Sequence, residues 1–281
     1  MGISNRFKAY TDNFMKYRFL LKELVSKSIK LQYRDSVLGM LWTFLQPLLM
    51  MIVLSVVFSG LFGRDSSKVV NYPVYLLTGR LLFDFFSTST KRAMRSIRNH
   101  AGIIKKVYVP KYIYPLSNVL SAFVTFVISL SVLLVVISFF NIINKDPVTI
   151  TWHVFQAIIP IIILFAFSLG VGMLLATLSV FFKDVENLYD VFTLILFYIT
   201  PIIYHIDKLG FEEGSWQLIL VKLNPMYGII GMFRACVIFG PNFDMYWDNS
   251  MFLYTVGMAV LSLVVGFTAF YKNQDKFILH I

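Results

Sequence analysis

Two charged residues inside an apolar stretch are the first candidates for chemistry. In VYLLTGRLLFDFFSTSTKRAM, Arg80 and Asp84 stand four residues apart and share one face of a helix. At mid-membrane the two together cost roughly 5 to 7 kcal/mol on an insertion scale, about what ten Leu or Phe residues return. They must pair, lie near an interface or turn to a watery path. An intrahelical salt bridge that holds packing and a functional polar path are both open readings. A second group is basic: Lys91, Arg92, Arg95, Arg98, Lys105, Lys106 and Lys111, with Asn99 among them. Its apolar residues are too few to cross a bilayer, so this block reads as a short interfacial helix on which a soluble partner could push, or as a simple orientation signal.

Other chemistry is missing. No glycine is followed by lysine, so the phosphate-cradling loop G-x-x-x-x-G-K-[ST] cannot occur. Neither H-E-x-x-H nor G-x-S-x-G is present, and no pair of carboxylates is placed like a proton relay. His100, His153, His205 and His280 are too scattered for a metal cluster, and the single Cys236 excludes an internal disulfide. These absences leave a conduit that needs an outside motor.

The elements that position these residues are membrane helices. Hydrophobic residues make up 58% of the 281 positions and charged ones 14%, with mean hydropathy +0.73. The net charge of +10 does not point to nucleic acid, because the basic residues lie beside the apolar runs. Residues 33–62 mark the boundary: a basic lead-in becomes an apolar run with no charge from Val37 to Leu61. Pro47 lies inside that run, and in a bilayer neighbouring helices and Ser or Thr side chains can re-satisfy the carbonyl it frees.

Before this first span, residues 1–36 alternate basic and apolar positions at helical spacing. They predict an amphipathic helix on an anionic leaflet, with Asp12 as a plausible N-cap. The loop 63–72 leads to the second span, which holds Arg80 and Asp84. Pro110 and Pro115 then break the chain before a third span at about 116–143, where Ser117, Ser121, Thr125 and Ser129 line one face for packing or as a polar wall. A fourth span is expected at 154–182, with a packing stripe of Ser168, Gly172 and Ala176. The turn at Lys183 and Asp184 leads to a fifth, at 188–205, bent by Pro201. Residues 216–223 are too short to cross, and 226–239 carry Arg234. They predict a re-entrant helix pair between spans five and six, capping the path from outside. A sixth span at about 250–270 and a tail complete an all-α, polytopic membrane protein with six transmembrane helices and one transmembrane domain over 1–281. Its parts are a cytoplasmic segment 1–36, spans one to five within 37–205, an external segment 206–249, and span six with its tail at 250–281. Most basic residues then fall on the side of the termini, which places both termini in the cytoplasm.

Certain stretches, in this order, resemble a known family. They are Tyr33-Arg34-Asp35-Ser36-Val37-Leu38-Gly39-Met40-Leu41-Trp42 with Pro47, then Lys105-Lys106-Val107-Tyr108-Val109-Pro110-Lys111 with Pro115. Lys183-Asp184-Val185, Pro201 and Leu223-Asn224-Pro225-Met226 with Arg234 follow. The chain resembles the membrane-spanning subunits of bacterial ATP-binding-cassette exporters of cell-surface polysaccharide: O-antigen, capsule or teichoic acid. The resemblance implies a homodimer in the inner or plasma membrane with two separate nucleotide-binding ATPase subunits. ATP and Mg belong to those subunits and no cofactor to this chain. The cargo implied is a glycan on a polyprenyl diphosphate lipid.

Carried over, residues 96–106 form the main coupling helix and residues 182–187 a second contact, with Arg95, Arg98, Asn99, Lys105, Lys106, Lys183 and Asp184 coupling to the ATPase subunit. Tyr33, Arg34 and Trp42 stand at the substrate entrance, and Trp216, Asn224, Pro225, Tyr227 and Arg234 belong to the external re-entrant segment. The chain departs from the pattern at Lys183, where relatives commonly carry Arg, and at Leu82-Phe83-Asp84, where many carry an uncharged stretch. A drug- or lipid-exporting permease and a membrane-embedded glycan-transferring enzyme are the alternatives.

Overall fold

The computed structural model describes residues 3–58, 71–106, 109–143, 147–206 and 214–280, and these are helical with no strand among them. The helices are α1 (Ile3–Tyr33), α2 (Trp42–Phe58), α3 (Tyr72–Asn99), α4 (Ala101–Ile104), α5 (Ile113–Ile142), α6 (Ile158–Phe181), α7 (Val185–Ile199), α8 (Trp216–Leu223), α9 (Pro225–Val237), α10 (Phe243–Tyr246), α11 (Asn249–Asn273) and α12 (Phe277–His280). Most of the loop expected at 63–72, Val107 and Tyr108 of the second motif, and Asn144 of the next loop lie outside the described residues.

The basic lead-in is one helix, α1, and it begins before Asp12, which is interior to it rather than a cap. It packs on α5, where the Ser28 hydroxyl donates to the Ser121 hydroxyl at 3.2 Å. The chain then turns through Ser36, whose Oγ accepts the Gly39 amide at 3.2 Å. Gly39 has φ +51°, a left-handed conformation that costs a residue with a Cβ roughly 1 to 2 kcal/mol. That explains the Ser-x-x-Gly spacing at the entry to α2.

The helix expected as the second span, α3, is the hub. Asn71 caps α3 by accepting the Val74 amide, Pro73 sits in its first turn, and α5, α6, α2 and α9 surround it. Val74, Leu82, Met94 and Ile97 are fully buried. A helix marginal by hydropathy is thus secured by burial among its neighbours. Pro115 does not break the third span: α5 begins at Ile113, and a proline in the first turn loses no intrahelical bond. The hydroxyl stripe of α5 bonds to its own helix, as in Thr125 Oγ1 donating to the Ser121 carbonyl at 3.1 Å. This lets the stripe serve both packing and a polar wall.

Ser168, Gly172 and Ala176 of α6 face inward as expected, with a Cβ at Gly172 only 2.9 Å from that of Ala93. The closest crossing is between α6 and α11. A Cβ on Gly266 would stand 2.1 Å from the Gly170 carbonyl oxygen, so the two backbones touch. Pro201 ends the helix expected as the fifth span instead of bending it. Thr200 takes the extended backbone that a following proline demands, and α7 stops at Ile199 after 15 residues. That is about 22 Å of helix, short of a hydrocarbon core of about 30 Å.

Among the described residues, four helical stretches are long and apolar enough to cross a membrane: Gly39–Phe58, Ile113–Ile142, Trp152–Phe181 and Asn249–His280. The helices α8 and α9 meet at Asn224 with a bend of 73° and together pass the same test. Asp248 caps α11, and the Ser250 hydroxyl and amide that bond to it hold its carboxyl below the usual carboxylate range. The C-terminal tail is not loose. Phe277 is fully buried, its ring 5.1 Å from that of Phe270, and Lys111 Nζ donates to the Gln274 carbonyl at 2.6 Å.

Candidate functional site

A cavity of about 430 Å³ lies among α1, α2, α3 and α5. The end of α1 brings Gln32 and Tyr33 to it, α2 brings Trp42, Thr43 and Pro47, α3 brings Asp84 and Arg92, and α5 brings Thr125 and Ser129. Its walls are tied together. The Tyr33 and Thr43 hydroxyls lie 2.6 Å apart, and Gln32 Nε2 donates to the Tyr33 oxygen at 3.0 Å. Pro47 has no N–H for the Thr43 carbonyl four residues back, and Ser129 Oγ donates to that carbonyl at 3.3 Å. The hydroxyl expected from a neighbouring helix is therefore on α5. Of the entrance residues, Tyr33 and Trp42 line the cavity, whereas Arg34 is exposed and does not.

Arg80 and Asp84 touch, Nε to Oδ2 at 2.8 Å, and the Arg80 guanidinium lies 5.1 Å from the Phe197 ring. Asp84 also lines the cavity, so the salt bridge and a polar setting for it are compatible.

At the basic end of α3, the expected interfacial helix 96–106 is divided. Ser96 to Asn99 complete α3, His100 breaks the helix, α4 adds a single turn, and Lys105 and Lys106 follow in an exposed turn. The His100 Nδ1 lies 2.8 Å from the Ser96 carbonyl oxygen, which closes the end of α3. Across from it begins α7. Glu186 accepts from Arg95 Nε at 3.0 Å and pairs with Arg98, while Lys91 Nζ contacts Asp190 at 2.7 Å. Tyr189, on the buried side of the same turn, donates to Thr90 Oγ1 at 2.8 Å. The two segments expected to meet a motor are thereby joined. Lys183 and Asp184 are exposed beside them. Glu186 and Asp190 were not among the site residues read from the sequence. Their signal was there: acidic residues four apart answer Lys91 and Arg95, basic residues four apart.

The bent pair is fastened by Arg234, which is 5% exposed. Its Nη1 donates to the Pro201 carbonyl at 2.7 Å, and Nη2 donates to the carbonyls of Tyr75 at 3.0 Å and Ile202 at 3.1 Å. Its charge sits 3.4 Å from the Tyr75 ring centroid. Asn224 accepts the Met226 amide and donates to Thr200 Oγ1 at 2.7 Å, with Pro225 opening α9 behind it. Trp216 is exposed and Tyr227 half-buried. Sequence reasoning placed Arg234 in this segment without its role as a clamp.

The chain resembles the O-antigen export system permease protein RfbA of Myxococcus xanthus, 30% identical over 78% of this chain and 80% of the relative. An RfbA of Klebsiella pneumoniae is 28% identical over 94% and 97%. The polysialic acid transport protein KpsM of Escherichia coli is 20% identical over 95% and 97%. Residues 20–238, which include the cavity, the ion-paired cluster and the Arg234 clamp, match the model of the ABC-2 type transporter family. This multi-pass membrane chain belongs to the ABC-2 type transporters.

Proposed function

We propose that this chain is the permease subunit of an ATP-driven exporter. It moves lipid-linked polysaccharide, an O-antigen, capsule or teichoic acid, from the cytoplasmic side across the bacterial inner or plasma membrane. The observation that carries the reading is the match over almost the whole chain to permeases named for O-antigen export. Two copies form the path, and two nucleotide-binding subunits bind ATP and Mg. Counting α3 and the short α7 with the four apolar stretches gives six spans and puts both termini in the cytoplasm, on the side of most basic residues. The bent α8–α9 pair is then a re-entrant cap on the outer face.

On this reading Arg95, Arg98, Asn99, Lys105, Lys106, Lys183 and Asp184 receive the motor. The Glu186 and Asp190 ion pairs make α3 and α7 respond together. The cavity with Tyr33 and Trp42 opens to the cytoplasmic leaflet, where a polar wall beside aromatic faces suits a head group and its first sugars. The test is ATP hydrolysis by the purified complex of this chain with the ATPase encoded beside it. Hydrolysis that rises with polyprenyl diphosphate-linked glycan is expected. A stable complex indifferent to the glycan would assign the chain to a drug or lipid exporter.

A further inference from the structure

The cavity carries an uncompensated positive charge. Two ionisable side chains line it, Asp84 and Arg92. Asp84 is held by Arg80 at 2.8 Å, so its charge is answered. Arg92 is eight residues further along α3, about 12 Å by helical rise, and too far to reach Asp84. It makes no hydrogen bond or ion pair with any described residue, although Lys91, Arg95 and Arg98 on the same turns all have carboxylate partners on α7. The ion-paired face of α3 points to α7, and Arg92 points away from it, into the cavity with Gln32, Tyr33 and Trp42.

A guanidinium left free in a partly enclosed polar space presents a planar fork of donors. That fork matches the oxygens of a phosphate, with which it forms two parallel charge-assisted bonds. The Gln32 amide and the Tyr33–Thr43 hydroxyl pair stand in the same wall as further donors. We propose that Arg92 anchors a phosphate-ester head group in this cavity, beside the indole of Trp42. The proposal rests on the exporter reading for the identity of the natural ligand, but not for the chemistry at Arg92. It also moves the principal anion contact from Arg34, which is exposed and outside the cavity, to a residue whose charge has no other use.

The experiment measures binding to the purified full chain in phosphatidylcholine nanodiscs. The probes are farnesyl diphosphate, uridine diphosphate and added phosphatidylglycerol, with farnesol as the uncharged reference. The variants are Arg92→Gln, Arg92→Lys and Lys272→Gln, the last removing an exposed charge elsewhere. Farnesyl diphosphate is expected to bind at least tenfold more weakly to Arg92→Gln, three- to tenfold more weakly to Arg92→Lys, and equally to Lys272→Gln. Farnesol should not distinguish the four proteins.

If phosphatidylglycerol competes in an Arg92-dependent way, the head group comes from the bilayer. If uridine diphosphate alone does so, the source is soluble. Either result retains the phosphate site. Equal affinity of the parent and Arg92→Gln for all three phosphates overturns it, and so does equal loss in Lys272→Gln. Should Arg92→Gln fail to fold, Arg92→Lys carries the test, and unchanged affinity in that variant refutes the bidentate contact. Hydrolysis stimulated by lipid-linked glycan without Arg92-dependent phosphate binding would sink this inference and leave the exporter reading standing. Arg92-dependent binding without stimulation would do the reverse.

Discussion

Replacing Arg234 tests whether the bent pair is clamped by backbone acceptors. Each charge-assisted bond to a carbonyl contributes about 1.5–3 kcal/mol, and the cation over Tyr75 adds roughly 1–2 kcal/mol. Against this stands a desolvation penalty of several kcal/mol for a buried guanidinium, which the substitution Arg234→Met removes. The carbonyls decide the balance. After substitution, Tyr75 O keeps its bond from the Thr78 hydroxyl at 2.9 Å and Pro201 O keeps a long one from the Tyr75 hydroxyl at 3.4 Å, whereas Ile202 O has no other donor among the described residues. One orphaned and two weakened acceptors make the net loss about 3 kcal/mol.

A second substitution reaches the same group from the other side. A Cβ at Gly79 would stand 2.6 Å from Arg234 Nη2, which cannot swing away without giving up its carbonyls. Gly79→Ala should therefore cost about 1–2 kcal/mol in the parent and under about 0.5 kcal/mol in the Arg234→Met background. The assay is the denaturation midpoint of the purified protein in mixed micelles titrated with SDS, for both singles and the double. An Arg234→Met variant as stable as the parent would mean that desolvation outweighs the clamp. Additive losses would mean that Gly79 and Arg234 do not meet.

Other consequences are simpler to state. Reversing Arg98 to Glu should uncouple ATP hydrolysis from glycan export in the joint complex, and adding Glu186→Arg should restore part of it; no rescue would remove this ion pair from the coupling. Ser129→Ala should cost about 1 kcal/mol by orphaning the Thr43 carbonyl, and almost nothing beside Pro47→Ala, which returns an N–H to it. The SDS midpoint reads both. Asp84→Asn should lower stability through the unpaired Arg80, while export by the surviving folded protein persists. Abolished export at normal stability would reopen an enzymatic role for Asp84.

The helical class, the first span and the bent pair were legible because each rests on local signals. An uncharged run, a proline tolerated inside it, and Asn-Pro before a short apolar segment all carry their meaning within a few residues. The extent of α3 was harder to read, because its Arg80, Asp84 and basic end lower its hydropathy while its neighbours bury it on most sides. Partners far apart in sequence were hard to match. Glu186 is some ninety residues from Arg95, and although each stretch carries charges four apart, neither alone selects the other. The buried tail escaped for the same reason: Phe277 looks like a terminal aromatic until Phe181 and Phe270 are seen against it. In the cavity, Tyr33 and Trp42 came from the motif. Arg92 was hidden among six other basic residues, and only the direction of its side chain sets it apart.

The acceptors of Arg234 have a further property in common: Tyr75, Thr78, Pro201 and Ile202 all precede it in the chain. During synthesis every one of them leaves the ribosome before the arginine does. A charge that is costly in lipid therefore meets acceptors that are already made. A permutation of the chain that made α9 first would present the same charge with nothing to hold it. The order of the helices along the sequence is thus part of how a buried cation is assembled safely into a bilayer.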